Sequence, residues 1–422
     1  MMTDFVARAT TLDAADVLAP VRTEFFGTSG HGHHADVARP GMPIAYFDGN
    51  SLGRPSIASI ERIESFLRHE WGTRLIRSWD EGWMRFPFEL GDKIGRAALG
   101  AAPGQVFVAD STSVILFKLA RAALDAQLER DPLRTEIVVD SDNFPTDRFV
   151  LEGIAAERGL SLRWIDSDPE SGVTLEQVSS VTSARTALVL LSHVAYRSGF
   201  LADGAGITAA VHNAGAMMLW DLSHSVGSVP VALDAWGADF AAGCTYKYLC
   251  GGPGAPAFGY VAARHVEHVD QPIHGWMGAA DVFAMGPTYE PGPGLVKFLT
   301  GTPPVLAMIA MEPVIDIIDR VGIDAIREKS VALTELTISF ADERLAPLGV
   351  RVASPRASDS RGGHVTLAHP LMKDVTAKLW ARDVIPDYRD PGGLRIGLSP
   401  LTTSFTEVVV GLEAVVDAIL SS

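Results

Sequence analysis

From Gln105 to Trp220 the chain alternates short apolar runs with segments of helical spacing: 106–108 then 114–126, 137–139 then 148–156, followed by 162–165, 187–191 and 217–220. Strands interleaved with helices in this way predict a mostly parallel sheet covered on both faces. In such a sheet a ligand sits outside the carboxyl ends of the strands. Three polar clusters stand at those ends, Asp110-Ser111-Thr112-Ser113, Asn143-Phe144-Pro145-Thr146-Asp147 and Asp221-Leu222-Ser223-His224, and are expected to converge on one crevice.

At 422 residues the chain is longer than one hydrophobic core usually supports, which predicts a large domain and a smaller one. A short helix is expected from about Asp13, then a strand over 44–48, a two-glycine turn through Gly49 and Gly53, and an amphipathic helix over 56–70. The segment 303–340 has apolar residues at helical spacing without a strong break. Beyond it, short strands at 350–352, 363–367, 384–385 and 394–396, with helices near 371–381 and 405–420, make a small α/β domain. The predicted division is an N-terminal segment 1–50, a large cofactor-binding domain 51–302, and a linking helix with the small C-terminal domain 303–422.

Composition excludes several classes. No apolar run reaches the roughly 18–20 residues that span a bilayer, and a formal charge of −16 opposes binding to nucleic acid. Only two cysteines occur, Cys244 and Cys250, too few for a zinc site and readable as small buried residues; no metal is expected. With no secretory signal pattern at the start, a reduced, cytoplasmic location is expected. The tract His31-Gly32-His33-His34 reads as a polar surface loop.

The chemistry concentrates at two positions. Asp221 ends the apolar run 216–220, and Lys247 lies between Tyr246 and Tyr248 just before Gly251-Gly252-Pro253-Gly254. Singly, an aspartate at a strand end caps a helix and a lysine is a solvated charge. Together they are what pyridoxal 5′-phosphate needs: a carboxylate to keep the pyridine nitrogen protonated and a poorly solvated amine to hold the cofactor as a Schiff base. Ser111 and Thr112 offer hydroxyls and helix N-terminal amides to a phosphate, although capping alone would also explain them. Phe144 could stack on a ring, and Asp147 and His224 could hydrogen-bond the cofactor or the lysine.

The series Asp48-Gly49-Asn50-Ser51-Leu52-Gly53, Asp110-Ser111-Thr112-Ser113, Ser141-Asp142-Asn143-Phe144-Pro145-Thr146-Asp147, Trp220-Asp221-Leu222-Ser223-His224, Cys244-Thr245-Tyr246-Lys247-Tyr248, Gly275-Trp276 and Arg395-Ile396-Gly397 resembles the motifs of the kynureninase family. That family belongs to the fold-type-I pyridoxal-phosphate enzymes and stands close to the class V aminotransferases. The resemblance covers most of the chain. It implies hydrolysis of L-kynurenine or 3-hydroxykynurenine to anthranilate or 3-hydroxyanthranilate and L-alanine, in the kynurenine pathway of tryptophan catabolism and NAD biosynthesis.

Carried over position by position, Lys247 becomes the cofactor lysine, Asp221 the partner of the pyridine nitrogen, Phe144 the stacking ring, and Ser111 and Thr112 the phosphate ligands. Asp147, Ser192 and His224 would line the cofactor, with Tyr246 as a proton relay. Trp276 and Thr302 would reach the site from a neighbouring subunit, making a homodimer with shared sites. Arg395 would grip the substrate carboxylate, with Ser51 and Trp79 near its aromatic end.

The chain departs from the family at Ala195 and Cys250, where an amide is usual, and at Thr302, where some members carry Asn. The same cofactor would also serve a paralogue acting on a modified kynurenine, or a class V lyase or epimerase. The scarcity of thiols speaks against a desulfurase, and the retention of Lys247, Asp221 and Arg395 together speaks against a non-catalytic binding protein on this fold.

Overall fold

The computed structural model describes residues 2–28 and 42–422; the tract His31-Gly32-His33-His34 lies outside the described residues. Among the described residues two sheets form. The first strand, β1 (Ala45–Phe47), stands apart from the next seven: β2 (Val106–Ala109), β3 (Glu136–Asp140), β4 (Ser161–Ile165), β5 (Thr186–Ser192), β6 (Met217–Asp221), β7 (Phe240–Gly243) and β8 (Ala257–Val261). These seven make one sheet in the order β2-β8-β7-β6-β5-β3-β4, parallel throughout β3 to β7, with β8 antiparallel between β2 and β7.

Alternation along the strands feeds both faces. Val138, Leu191 and Trp220 enter one apolar core, whereas Ile137, Val139, Leu190 and Leu219 enter another on the opposite side. The mostly parallel, doubly covered sheet expected from the sequence is therefore present. Strands β7 and β8 had no counterpart in the sequence pattern, because they are short and rich in Ala and Gly. Their glycines have a packing reason: a Cβ on Gly259 would stand 2.6 Å from the Phe107 ring, and one on Gly243 would stand 2.6 Å from Phe258.

The second sheet has the order β1-β11-β12-β10-β9, built from β1 and from β9 (Arg351–Val352), β10 (His364–Ala368), β11 (Val384–Arg389) and β12 (Gly393–Gly397). Strand β1 runs parallel to β11, and the remaining pairs are antiparallel. Phe5 and Phe47 share a core here with Leu333, Ile396, Phe405 and Leu412.

Two expectations about helices are corrected. The first helix spans Met2–Ala15 rather than starting near Asp13. The Asp13 carboxylate instead accepts the N–H groups of Phe405 (2.8 Å) and Thr406 (2.9 Å), so its capping chemistry serves the remote helix Phe405–Leu420. The segment expected as one unbroken helix is three: Val305–Ile309, Glu312–Val321 and Ile323–Phe340, with Gly322 at φ +81° between the last two. Each buries an apolar face, so the hydrophobic spacing persists across the breaks and hides them. Among the described residues no helix is long and apolar enough to cross a membrane.

Candidate active site

The carboxyl ends of β2, β3, β5 and β6 open on a crevice of about 540 Å³. Past β2 the chain turns through Asp110, at φ +45°, into the helix Thr112–Arg130. Ser111 stands at its N-cap, yet its hydroxyl makes no capping bond. Ser111, Thr112 and Ser113 all line the crevice. Past β3 the chain enters the helix Pro145–Arg158 with Phe144 at its N-cap and Pro145 opening the first turn. The hydroxyls of Ser113 and Thr146 are 3.4 Å apart, so two positive helix ends meet where a phosphate would be favoured.

The anion loop is anchored from beneath. Lys118, on the helix Thr112–Arg130, is fully buried; its ammonium donates to the Asp110 carboxylate, to the Phe298 carbonyl (2.7 Å) and to the Thr300 hydroxyl (3.4 Å). This ties the segment before Thr302 to the loop. Thr302, expected from a neighbouring subunit, lines the crevice of its own chain.

Pairing of β5 with β6 sets Ser192 opposite Asp221. Asp221 Oδ1 accepts the Ser223 N–H at 2.8 Å, and Ser192 Oγ lies 3.4 Å from Asp221 Oδ2 while donating to Asn143 Oδ1 at 2.8 Å. Asp147 is buried and its Oδ2 has no partner among the described residues. Burial first, and the charge of Asp221 second, push its carboxyl well above the usual range. The Tyr196 ring meets Phe144 edge-on at 5.4 Å, which fixes the Phe144 ring in the wall.

Lys247 follows β7. Its amine lies 3.0 Å from His224 Nε2 and 5.8 Å and 6.0 Å from the Phe144 and Tyr246 ring centres. Burial, reinforced by the Lys247 charge, holds the His224 imidazole well below its usual pKa and therefore neutral. Burial also raises the Tyr246 phenol, which stays protonated. The lysine loop is closed by a bond from the Cys250 N–H to the Lys247 carbonyl (3.0 Å), with Cys250 at φ +53°. That left-handed conformation favours Asn or Gly over the Cys present here. Gly53 packs on the same loop so closely that a Cβ would stand 2.3 Å from the Lys247 carbonyl.

Arg395, on β12, is buried behind the crevice wall. It donates to the Tyr196 carbonyl (2.8 Å) and the Ser51 hydroxyl (3.0 Å) and pairs with Asp387 on β11. Tyr196 lines the crevice, so it joins Arg395 to the other groups. Ten of the anticipated residues line the crevice: Ser111, Thr112, Phe144, Asp147, Ser192, Asp221, His224, Tyr246, Lys247 and Thr302. Two tryptophans stand elsewhere: Trp79 packs edge-on against Trp83 at 5.2 Å, and Trp276 is exposed on a short 3-10 turn. Lys118, Asp387 and His364 were not anticipated. Asp387 was within reach of the sequence, because in a β11-β12 hairpin it falls opposite Arg395.

An uncapped hydroxyl pair at two helix N-termini, an unpartnered buried carboxyl beside Asp221, a fixed aromatic ring and a buried amine are a donor set that fits pyridoxal 5′-phosphate.

Comparison with known proteins supports this reading. The Kynureninase C-terminal domain family matches residues 326–415. A kynureninase of Pseudomonas fluorescens is 41% identical over 94% of this chain and 91% of its own length. Among solved structures, an apo cysteine desulfurase from Thermococcus onnurineus NA1 superposes with a TM-score of 0.75 at 21% identity, covering 90% of this chain and 95% of its own. A C-DES variant with glycine covalently linked to its pyridoxal-phosphate cofactor gives 0.77 at 16% identity, covering 88% and 96%. These two share the fold-type-I architecture. The identity and coverage of the Pseudomonas relative go further, and by them this chain belongs to the kynureninase family.

Proposed function

We propose that this chain is a pyridoxal-phosphate-dependent hydrolase that splits L-kynurenine with water into anthranilate and L-alanine. The observation that carries the reading is the buried Lys247 amine, 3.0 Å from the neutral imidazole of His224, in a crevice shared with Asp221, Asp147 and two helix N-termini. The overall reaction balances: the water oxygen ends in the new carboxylate of anthranilate, and a proton caps the β-carbon to give the methyl of alanine.

Ser111, Thr112 and the two helix ends would hold the phosphate, while Asp221 and Asp147 would hold the ring N–H. When bound, the cofactor supplies an electron sink for the charge left at the substrate α-carbon. The chain's own work is proton control. The free Lys247 amine would take the α-proton and return it, oriented by the acceptor Nε2 of His224. Tyr246, kept protonated, would donate to developing negative charge. Arg395 and Ser51 would clamp the substrate carboxylate, a task suited to a guanidinium fork that Asp387 already pairs.

The desulfurase fold neighbours do not transfer their chemistry. Burial raises both thiols, Cys250 to about 12, and Cys244 Sγ and Cys250 Sγ lie within 3.8 Å and 3.6 Å of backbone carbonyls, so neither is a mobile sulfur carrier. A homodimer is supported by exposed apolar side chains on two segments, Leu75 and Ile76 on one and Trp276, Phe283 and Met285 on the other. A reduced, cytoplasmic setting is supported by the two unpaired cysteines.

The test is an absorption spectrum of the holoenzyme before and after L-kynurenine, with anthranilate fluorescence followed in the same cuvette. A visible band abolished by borohydride, with anthranilate growing in, is the expected result. A band that shifts without anthranilate would redirect the assignment to a ring-modified kynurenine. No band after adding pyridoxal phosphate would overturn it.

A further inference from the structure

His224 spends one ring nitrogen on Lys247, and the other, Nδ1, is buried with no partner among the described residues. When the Lys247 amine donates this bond, Nε2 accepts and the imidazole hydrogen sits on Nδ1. His364, the first residue of β10, has its ring centre 5.8 Å from that of His224. Its Nε2 lies 3.4 Å from the Arg197 carbonyl, which can only accept. The hydrogen of His364 therefore sits on Nε2, and its Nδ1 is a bare acceptor, also buried without a partner.

A buried donor and a buried acceptor, each unmatched, thus belong to two neighbouring rings. Leaving either unpaired carries the full desolvation penalty of the group, which is why such groups are nearly always satisfied, by water when no side chain reaches. The surroundings are polar enough to hold water. The Asn50 amide, buried without a partner among the described residues, abuts Gly397, the residue paired with His364 across the sheet, and the Tyr248 and Ser228 hydroxyls meet beside its neighbour Gly363.

We propose that His364 is a positioning residue for the hydrolytic reaction, acting through a buried water that joins its Nδ1 to Nδ1 of His224 and so holds His224 Nε2 as an acceptor toward the Lys247 amine. This rests on the assignment of Lys247 made above. Both imidazoles must stay neutral for the relay to keep its direction, and the charges facing them favour that. Lys247, Arg395 and Arg389 all act on both rings, and burial holds His364 near 3. With the hydrogen fixed on His224 Nδ1, the lone pair at Nε2 cannot turn away from the amine.

Two variants separate this role from packing. In His364→Gln the side-chain carbonyl can accept the water's hydrogen in place of Nδ1; in His364→Phe nothing can. The holoenzyme's visible band is titrated against pH in each, alongside kcat and KM for kynurenine. The expected result is a shift of the band's titration by about half a pH unit or more in His364→Phe. With it, kcat should fall about fivefold to tenfold while KM is unchanged, and His364→Gln should return to within about twofold of wild type.

Titration identical to wild type in both variants would overturn the proposal while leaving the band, and with it the Lys247 assignment, in place. Absence of the band in the wild-type holoenzyme would instead remove that assignment. Should His364→Phe fail to fold, a high-resolution crystal structure of the wild-type holoenzyme decides. A water bonded to both Nδ1 atoms supports the relay, and a dry gap or an Nδ1 engaged elsewhere ends it.

Discussion

Two regions of this molecule each contain a buried lysine and a carboxylate, and they differ in whether the two touch. Beneath the anion loop, Lys118 pairs with Asp110 and spends its other hydrogens on Phe298 and Thr300. In the crevice, Lys247 meets one neutral imidazole, and Asp147 Oδ2 meets no partner among the described residues. A buried charge whose hydrogen bonds are all made holds a structure together, whereas one whose bonds are left open is poised for a ligand. The first region is a brace; the second is a reaction site with the brace supporting one wall.

The largest expected effect tests the open region. Lys247→Ala should lower kcat/KM by at least about 10³-fold, since it removes both the cofactor anchor and the base. The apo fold should lose less than about 1 kcal/mol, because only one imidazole bond is given up. Kynurenine turnover and thermal melting of the apoprotein measure the two. A large drop in melting temperature would mean that Lys247 is a brace as well, and the contrast with Lys118 would collapse.

Lys118→Met should show the opposite profile. Removing the cation strands the Asp110 carboxylate, which costs about 3 kcal/mol, the lower end of the range for broken buried pairs because Asp110 is partly open to the crevice. The anion loop should loosen, so urea denaturation should show reduced stability and fluorescence titration a weaker hold on pyridoxal phosphate. Enzyme saturated with cofactor should keep most of its kcat, since Lys118 does not line the crevice.

The contrast between the two regions was unequally legible in the sequence. The open one was visible, because it lies at strand ends where turns are short and the polar clusters stand out against apolar runs: Asp221 after β6, Asn143 to Asp147 after β3, and Lys247 between aromatics. The brace was not. Lys118 sits in the middle of a helix among leucines and alanines, where a single lysine reads as a solvated face, and its partners at 298–300 lie some 180 residues away in sequence. His364 was hidden for the same reason, being one polar residue at the start of an apolar strand. Long-range pairing of buried polar groups leaves no local period to read, as the remote cap of Asp13 on the last helix also shows.

Arg395 stands between the two extremes, since it is buried and paired with Asp387, yet its Nε is unpartnered. Arg395→Lys keeps the charge near Asp387 but loses the fork to Ser51 and the Tyr196 carbonyl. A substrate carboxylate held by two parallel bonds should then be held by one. KM for kynurenine should rise about 10- to 100-fold, equivalent to about 1.4–2.7 kcal/mol, with kcat changed far less. A fall in kcat with KM untouched would place Arg395 in the brace class.

The smallest effect sharpens the comparison most, because it reads the open carboxylate directly. In an unfolded chain the Asp147 carboxyl titrates near the ordinary value of about 4, whereas in the fold burial and the Asp221 charge raise it well above that. Between those two values the folded chain holds a proton that the unfolded chain has released. The stability of the apoprotein should therefore be highest below about pH 4 as far as this group is concerned, and fall as pH rises through the window. Asp147→Asn removes the titration, so the variant apoprotein should be more stable than wild type near neutral pH, by on the order of 1 kcal/mol, with a flatter pH profile. Adding pyridoxal phosphate should reverse the ranking, since the wild-type carboxylate gains a cationic partner in the ring N–H that the variant's neutral amide cannot match. Melting curves of both proteins from pH 4 to 8, with and without cofactor, give the answer. If wild type and variant kept parallel profiles in the apo form, Asp147 would have a partner there, and the open region would be no more open than the closed one.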